Sequence, residues 1–123
     1  MRYSLEQIDE TIFRAYDVRG IVDQNLTDAL VYHLGRAFAA YSLAENCSEV
    51  VVAADGRLSG PRFKRLLSEG LTDGGCDVKD IGLFPTPVLY YAALNQGKGT
   101  GTGIMITGSH NPSDYNGFKM MLN

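Results

Sequence analysis

The fold turns on Val50-Val51-Val52-Ala53-Ala54-Asp55-Gly56-Arg57. An unbroken apolar run closed by an Asp-Gly pair predicts a strand buried on both faces, since a half-solvated strand would alternate polar and apolar residues. Working outward, further strands are expected over 77–83, ended by Pro85-Thr86-Pro87, and over 102–106, ended by Thr107-Gly108-Ser109-His110. Two more are expected over 117–122 and near 13–19. Helical patterns lie between them. Thr27 can cap a helix with Asp28 in its first turn and Leu30, Leu34, Phe38 and Tyr41 on one face. Ser59 caps a second, with Pro61 tolerated in its first turn, Phe63, Leu67 and Leu71 sharing a face, and Gly74-Gly75 as its stop. A third opens on Thr86 as cap, with Pro87 at the first helical position, and runs on through 88–94. Strands alternating with helices imply one α/β domain over 1–123, a three-layer α/β/α arrangement around a mainly parallel, mixed sheet.

Size and composition set the bounds. The 123 residues are enough to bury one core, and a chain that is 45% hydrophobic and 20% charged has the make-up of a soluble globular protein. The net charge of −3 points away from nucleic acid and anionic membrane, both of which call for basic surface. No apolar run approaches the roughly 18 to 20 residues that cross a bilayer. Glu6 falls where a signal peptide would have its apolar core. Cys47 and Cys76 make no disulfide framework, and no Cys/His spacing suggests zinc, so a reduced, cytoplasmic setting is expected.

In parallel strands joined by helices, the C-terminal ends lie along one edge of the sheet, where such folds place their ligand chemistry. Asp55-Gly56-Arg57, Pro85-Thr86 and Ser109-His110 are expected to gather there. Ser109 is open to three readings: a nucleophile, a phosphate carrier, or a loop hydroxyl. The hydrolase elbow needs glycine two residues before and two after the serine, and Thr107 and Asn111 stand there instead. His110 adjoins Ser109 in sequence, and adjacent side chains diverge, which disfavours a serine–histidine base pair. Lys119 is either edge protection or a group returning toward Ser109. The stretch Phe13-Arg14-Ala15-Tyr16-Asp17-Val18-Arg19-Gly20 offers arginines, whose planar forks suit phosphate, or a surface ion pair of Asp17 with either arginine. Asn95-Gln96-Gly97-Lys98-Gly99-Thr100-Gly101-Thr102-Gly103 follows a helix and precedes a strand rather than opening a helix, so it reads as a connection and not as a nucleotide loop.

These pieces together resemble the N-terminal domain of the α-D-phosphohexomutases, most of all the bacterial phosphomannomutase/phosphoglucomutase branch. The strongest part is Ile106-Thr107-Gly108-Ser109-His110-Asn111-Pro112, continued by Asp114-Tyr115-Asn116-Gly117-Phe118-Lys119, which is similar to the family's phosphoserine loop. The stretch 13–20, Asp55-Gly56-Arg57-Leu58-Ser59-Gly60 and Pro85-Thr86-Pro87 match other family stretches in the same order. The resemblance implies that Ser109 carries a phosphoryl group and meets Mg²⁺ through it. His110 and Lys119 are then expected in acid/base and electrostatic work, and Tyr16 and Arg19 near sugar or phosphate, with Arg57 a weaker candidate. The implied reaction interconverts hexose 1-phosphate and hexose 6-phosphate through a bisphosphorylated sugar, with glucose or mannose 1,6-bisphosphate as activator.

The resemblance further implies that domains two to four of such a mutase are absent. The Asp-Gly-Asp-Gly-Asp type metal loop of the second domain does not occur in this sequence. The expected partners are hexose phosphates and the missing domains, and the isolated chain is expected to be inactive. Two other classes stay open: a stand-alone sugar-phosphate-binding or regulatory module, and a small hydrolase using Ser109.

Overall fold

The structure is a computed structural model that describes residues 12, 17–56, 59–83, 102–107 and 114–121. Seven elements run in the order β1 (Asp17–Ile21), α1 (Asp28–Ala44), β2 (Glu49–Ala54), α2 (Gly60–Asp73), β3 (Asp77–Leu83), β4 (Gly103–Ile106) and β5 (Tyr115–Met121). The helix expected to open at Thr86 lies outside the described residues.

The strands form one sheet in the order β1-β5-β4-β2-β3. β2 pairs parallel with both β3 and β4, while β5 pairs antiparallel with β4 and with β1. Reversing twice brings β1 back into line with β4, so β1, β2, β3 and β4 share one direction and only β5 opposes them. The mixed, mainly parallel sheet expected from the sequence is the one observed. The C-terminal ends of the four co-directional strands therefore share an edge with the start of β5.

The apolar run of β2 is buried along 50–54, as a strand covered on both sides requires. Val50, Val52 and Ala54 face α1 and α2 together with Ile104, Ile106, Val18 and Phe118. Val51, Ala53 and Met105 form a second buried cluster with Ile81, which by strand alternation lies on the opposite face.

The two helices pack against each other on the first face. Thr27 caps α1 as expected, its hydroxyl accepting from the Leu30 N–H at 3.2 Å. The buried stripe of α1 is Leu30, Val31, Tyr32, Gly35, Phe38, Ala39 and Ser42, whereas Tyr41 is 49% exposed. That corrects the expected face. The cause is a close crossing at Gly35 and Gly70. A Cβ on Gly35 would stand 2.4 Å from the Leu67 carbonyl oxygen, and one on Gly70 would stand 2.0 Å from that of Tyr32. Backbone-to-backbone contact at this point turns Gly35 toward α2 and leaves Tyr41 at the margin. The Tyr32 hydroxyl adds a hydrogen bond to the Asp73 carboxylate.

Ser59 also departs from expectation. It occupies the N-cap position of α2 with Pro61 behind it, but its side chain makes no cap hydrogen bond. Its backbone is already helical rather than extended (φ −77°, ψ −10°), which turns the hydroxyl away from the first-turn N–H groups. That hydroxyl instead accepts from Asn116 Nδ2 of β5 at 2.7 Å. At the other end Gly74 closes α2, and Gly75 takes φ +102°, a left-handed conformation that favours glycine. Cys47 and Cys76 are both buried and free, and burial pushes the Cys76 thiol pKa upward against a Ser42 hydrogen bond that lowers it. No helix among the described residues is long and apolar enough to cross a membrane.

Candidate functional site

The C-terminal edge of the sheet is built from short, specific bonds. Thr107 directly follows β4 and is only 8% exposed. Its N–H donates to the Gly117 carbonyl of β5 at 2.9 Å, and its hydroxyl donates to Asp55 Oδ2, just past β2, at 2.7 Å. The Asp55 N–H in turn donates to the Ile106 carbonyl at 3.0 Å. The end of β4 is thereby pinned from both sides, two residues before Ser109.

Alternation places the groups of this edge. Ile106, Ala54, Phe118 and Val18 face the helices, so Thr107, Asp55, Gly117 and Arg19, each one residue away, lie on the opposite face. Arg19 is the Cα partner of Gly117, and its Cγ stands 3.0 Å from where a Cβ on residue 117 would be. The arginine stem lies over the glycine, in the direction of β4. Lys119 is the Cα partner of Met105, whose side chain belongs to the second cluster, so the half-buried lysine shares this face too. Arg19 and Lys119 are diagonal neighbours across β1 and β5, a separation of about 7–8 Å between backbones that long side chains span easily. The result is a row across four strands: Arg19, Gly117, Thr107, Asp55, with Lys119 one step further along β5.

Asn116 supports this row from below. It is fully buried, its Oδ1 accepts from the Gly117 N–H at 2.9 Å and its Nδ2 reaches Ser59. One side chain thus fixes the start of β5 to the start of α2. Gly117 is also needed for the approach of β1, since a Cβ there would stand 2.3 Å from the Val18 carbonyl oxygen. Gly117→Ala is expected to destabilise the chain by about 1–3 kcal/mol, the usual cost of an added methyl in a packed position. A urea midpoint equal to that of the parent chain would contradict this.

Of the residues singled out in the sequence, Arg19 and Lys119 share one face of the sheet, Arg19 level with Thr107 and Lys119 two residues further in, opposite Met105. Ser109, His110, Tyr16 and Arg57 lie outside the described residues. Asp55, Thr107, Ser59 and Asn116 received no part in the site from the sequence, although Ser59 was expected to cap a helix and Asp55-Gly56-Arg57 was placed on this edge. The only signal for them was membership in the matching stretches. Among the described residues no three His, Cys, Asp or Glu side chains lie close enough to share a metal ion, so these residues by themselves do not fit a Mg²⁺ site.

Fold and edge together define an α/β domain with a mainly parallel sheet whose central strand ends beside a face carrying Arg19 and Lys119. Comparison with known proteins makes the class specific. The family model described as phosphoglucomutase/phosphomannomutase, alpha/beta/alpha domain I matches residues 10–123, and the chain belongs to that family. A phosphomannomutase/phosphoglucomutase of Pseudomonas syringae pv. tomato is 54% identical over 116 residues, which is 94% of this chain and 24% of that protein. A phosphoglucomutase of Neisseria gonorrhoeae is 50% identical over 118 residues, 96% of this chain and 25% of that protein. A crystal structure of a phosphoglucomutase/phosphomannomutase family protein from Burkholderia thailandensis superposes with a TM-score of 0.88 at 47% identity, covering 94% of this chain and 27% of that one. The chain therefore spans about a quarter of the length of the relatives it matches.

Proposed function

We propose that this chain is the phosphoserine-bearing domain of a phosphomannomutase/phosphoglucomutase and acts with domains that it does not itself contain. The observation that supports the reading is the pinned end of β4, two residues before Ser109 in sequence, with Arg19 and Lys119 on one face of the strands beside it. Phosphoryl transfer asks chiefly for positioning and neutralised charge, and an edge with two cations supplies both.

On this reading phosphoserine 109 gives its phosphoryl group to a hydroxyl of a hexose phosphate. The P–O bond to the serine oxygen breaks as the P–O bond to the sugar forms. The sugar hydroxyl proton and the proton needed by the serine oxygen pass through His110 or Lys119. The bisphosphorylated sugar then reorients, and its other phosphate returns to Ser109. Arg19 and Tyr16 hold phosphate or sugar, and Arg19 fits that part because a guanidinium donates in pairs to phosphate oxygens. Mg²⁺ at the phosphoserine belongs to the same proposal, with its carboxylate ligands supplied from outside this chain, in a cytoplasmic enzyme. The matched relatives' extra length supports a site completed by further domains.

The test is a coupled assay of hexose 1-phosphate conversion with a bisphosphate activator and Mg²⁺. A full-length mutase carrying this domain is expected to turn over, and the 123-residue chain alone is expected to show none above background. Turnover by the isolated chain at enzyme-like rates would contradict the division of the site among domains.

A further inference from the structure

We propose that Asp55 is a positioning residue for the Ser109 loop and acts through the Thr107 hydroxyl; the inference rests on Ser109 being the phosphoryl carrier. Thr107 is the last described residue before that loop. Its N–H is tied to β5 by the 2.9 Å bond to Gly117, and its side chain is tied toward β2, 2.7 Å from Asp55 Oδ2. Asp55 can bear that load because its own N–H continues the ladder onto Ile106 at 3.0 Å. Asp55 thus holds the end of β4 at two adjacent residues, Ile106 through its backbone and Thr107 through its side chain.

The chemistry of the pair fits positioning. A hydroxyl has one proton, and that of Thr107 goes to the carboxylate. What Oγ1 has left are lone pairs, which can serve only N–H or O–H donors. Thr107 is β-branched, so one bond fixes its side-chain rotamer and, through it, the direction in which the chain leaves the sheet. A hydrogen bond to an ionised acceptor is roughly twice as strong as a neutral one, and this one is largely out of water. A carboxylate beside a loop that carries phosphate is electrostatically adverse as a ligand. On this edge the carboxylate accepts instead from the Thr107 hydroxyl, which fixes the point at which the chain leaves β4.

The test uses a full-length mutase carrying this domain. Thr107→Val and Asp55→Ala remove the bond, whereas Asp55→Asn and Thr107→Ser keep an acceptor and a hydroxyl. The first two are expected to lower kcat tenfold or more while KM stays within about twofold, because small misplacements of a reacting group cost rate rather than binding. The two conservative variants are expected to remain within about threefold of the parent. Combining Thr107→Val with Asp55→Ala is expected to cost no more than either change alone, since both break one bond. Full activity in Thr107→Val overturns the proposal. So does an Asp55→Asn enzyme as impaired as Asp55→Ala, a comparison that stands even if Thr107→Val folds poorly. Phosphate uptake by Ser109→Ala, run alongside, separates the two levels. Loss of uptake with a fully active Thr107→Val overturns the positioning role alone, and unchanged uptake overturns the carrier reading and this inference with it.

Discussion

Replacing Ser109 by alanine in a full-length mutase is expected to lower turnover by more than about a thousandfold, with substrate binding largely kept. The size follows from the role. A group that forms and breaks the covalent bond is not replaced by its neighbours, and single removals of this kind cost factors of thousands to millions in kcat. On the proposed reading Arg19 and Lys119, on the shared face of β1 and β5, still meet the phosphate, which is why hexose phosphate is expected to bind with similar affinity. Steady-state kcat together with a binding isotherm for the same variant checks both halves. A Ser109→Ala enzyme with more than a tenth of parental kcat would contradict the assignment, and one that bound no substrate would place the serine in recognition rather than in transfer.

The second large effect concerns the scaffold. Gly70→Ala is expected to destabilise the isolated chain by about 3 kcal/mol or more, at the upper end of the range for overpacked positions. The added Cβ would stand 2.0 Å from the carbonyl oxygen of Tyr32 and 3.0 Å from the Arg36 nitrogen, and both obstacles are backbone of the facing helix. No rotamer change relieves such a clash, so α1 and α2 must separate and loosen the cluster that includes Val31, Phe38, Leu67 and Leu71. For a domain of this size the loss corresponds to a fall in melting temperature of about 10 °C. Gly56→Ala is the control, because nothing lies within 4 Å of a Cβ placed there. Equal melting temperatures for Gly70→Ala and the parent would contradict the close helix crossing.

Much of this architecture was legible in the letters, and for identifiable reasons. An apolar run such as 50–54 has few physical options beyond a buried strand, and β2 is found at Glu49–Ala54. The expected strand at 77–83 coincides with β3. β5 begins at Tyr115, two residues before the expected start, because Asn116 and Gly117 have the chemistry of a turn. They serve in a strand here because Asn116 is satisfied by Ser59 and Gly117 admits β1. The opposed direction of β5 follows from its pairing with β4 and β1, information that no local pattern holds. The expected capping by Ser59 failed for the same kind of reason: a partner 57 residues away claims its hydroxyl.

The candidate site divides along the same line. Its motifs are local and could be read, and they drew attention to Arg19 and Lys119, which the strand register puts on one face of the sheet. The Asp55–Thr107 bond spans 52 residues and has no sequence signature, because aspartate before glycine reads equally well as the end of a strand. What the letters conveyed was which residues arrive at the edge. Which of them hold one another there is decided by the register of β2, β4 and β5.

The most direct test of the central claim is fragment-mapping mass spectrometry of a full-length mutase carrying this domain, after incubation with glucose 1,6-bisphosphate and Mg²⁺. The account predicts a single phosphate on Ser109 that is lost when excess hexose phosphate is added. Phosphate on any other residue, or turnover with Ser109 unmodified throughout, would contradict it.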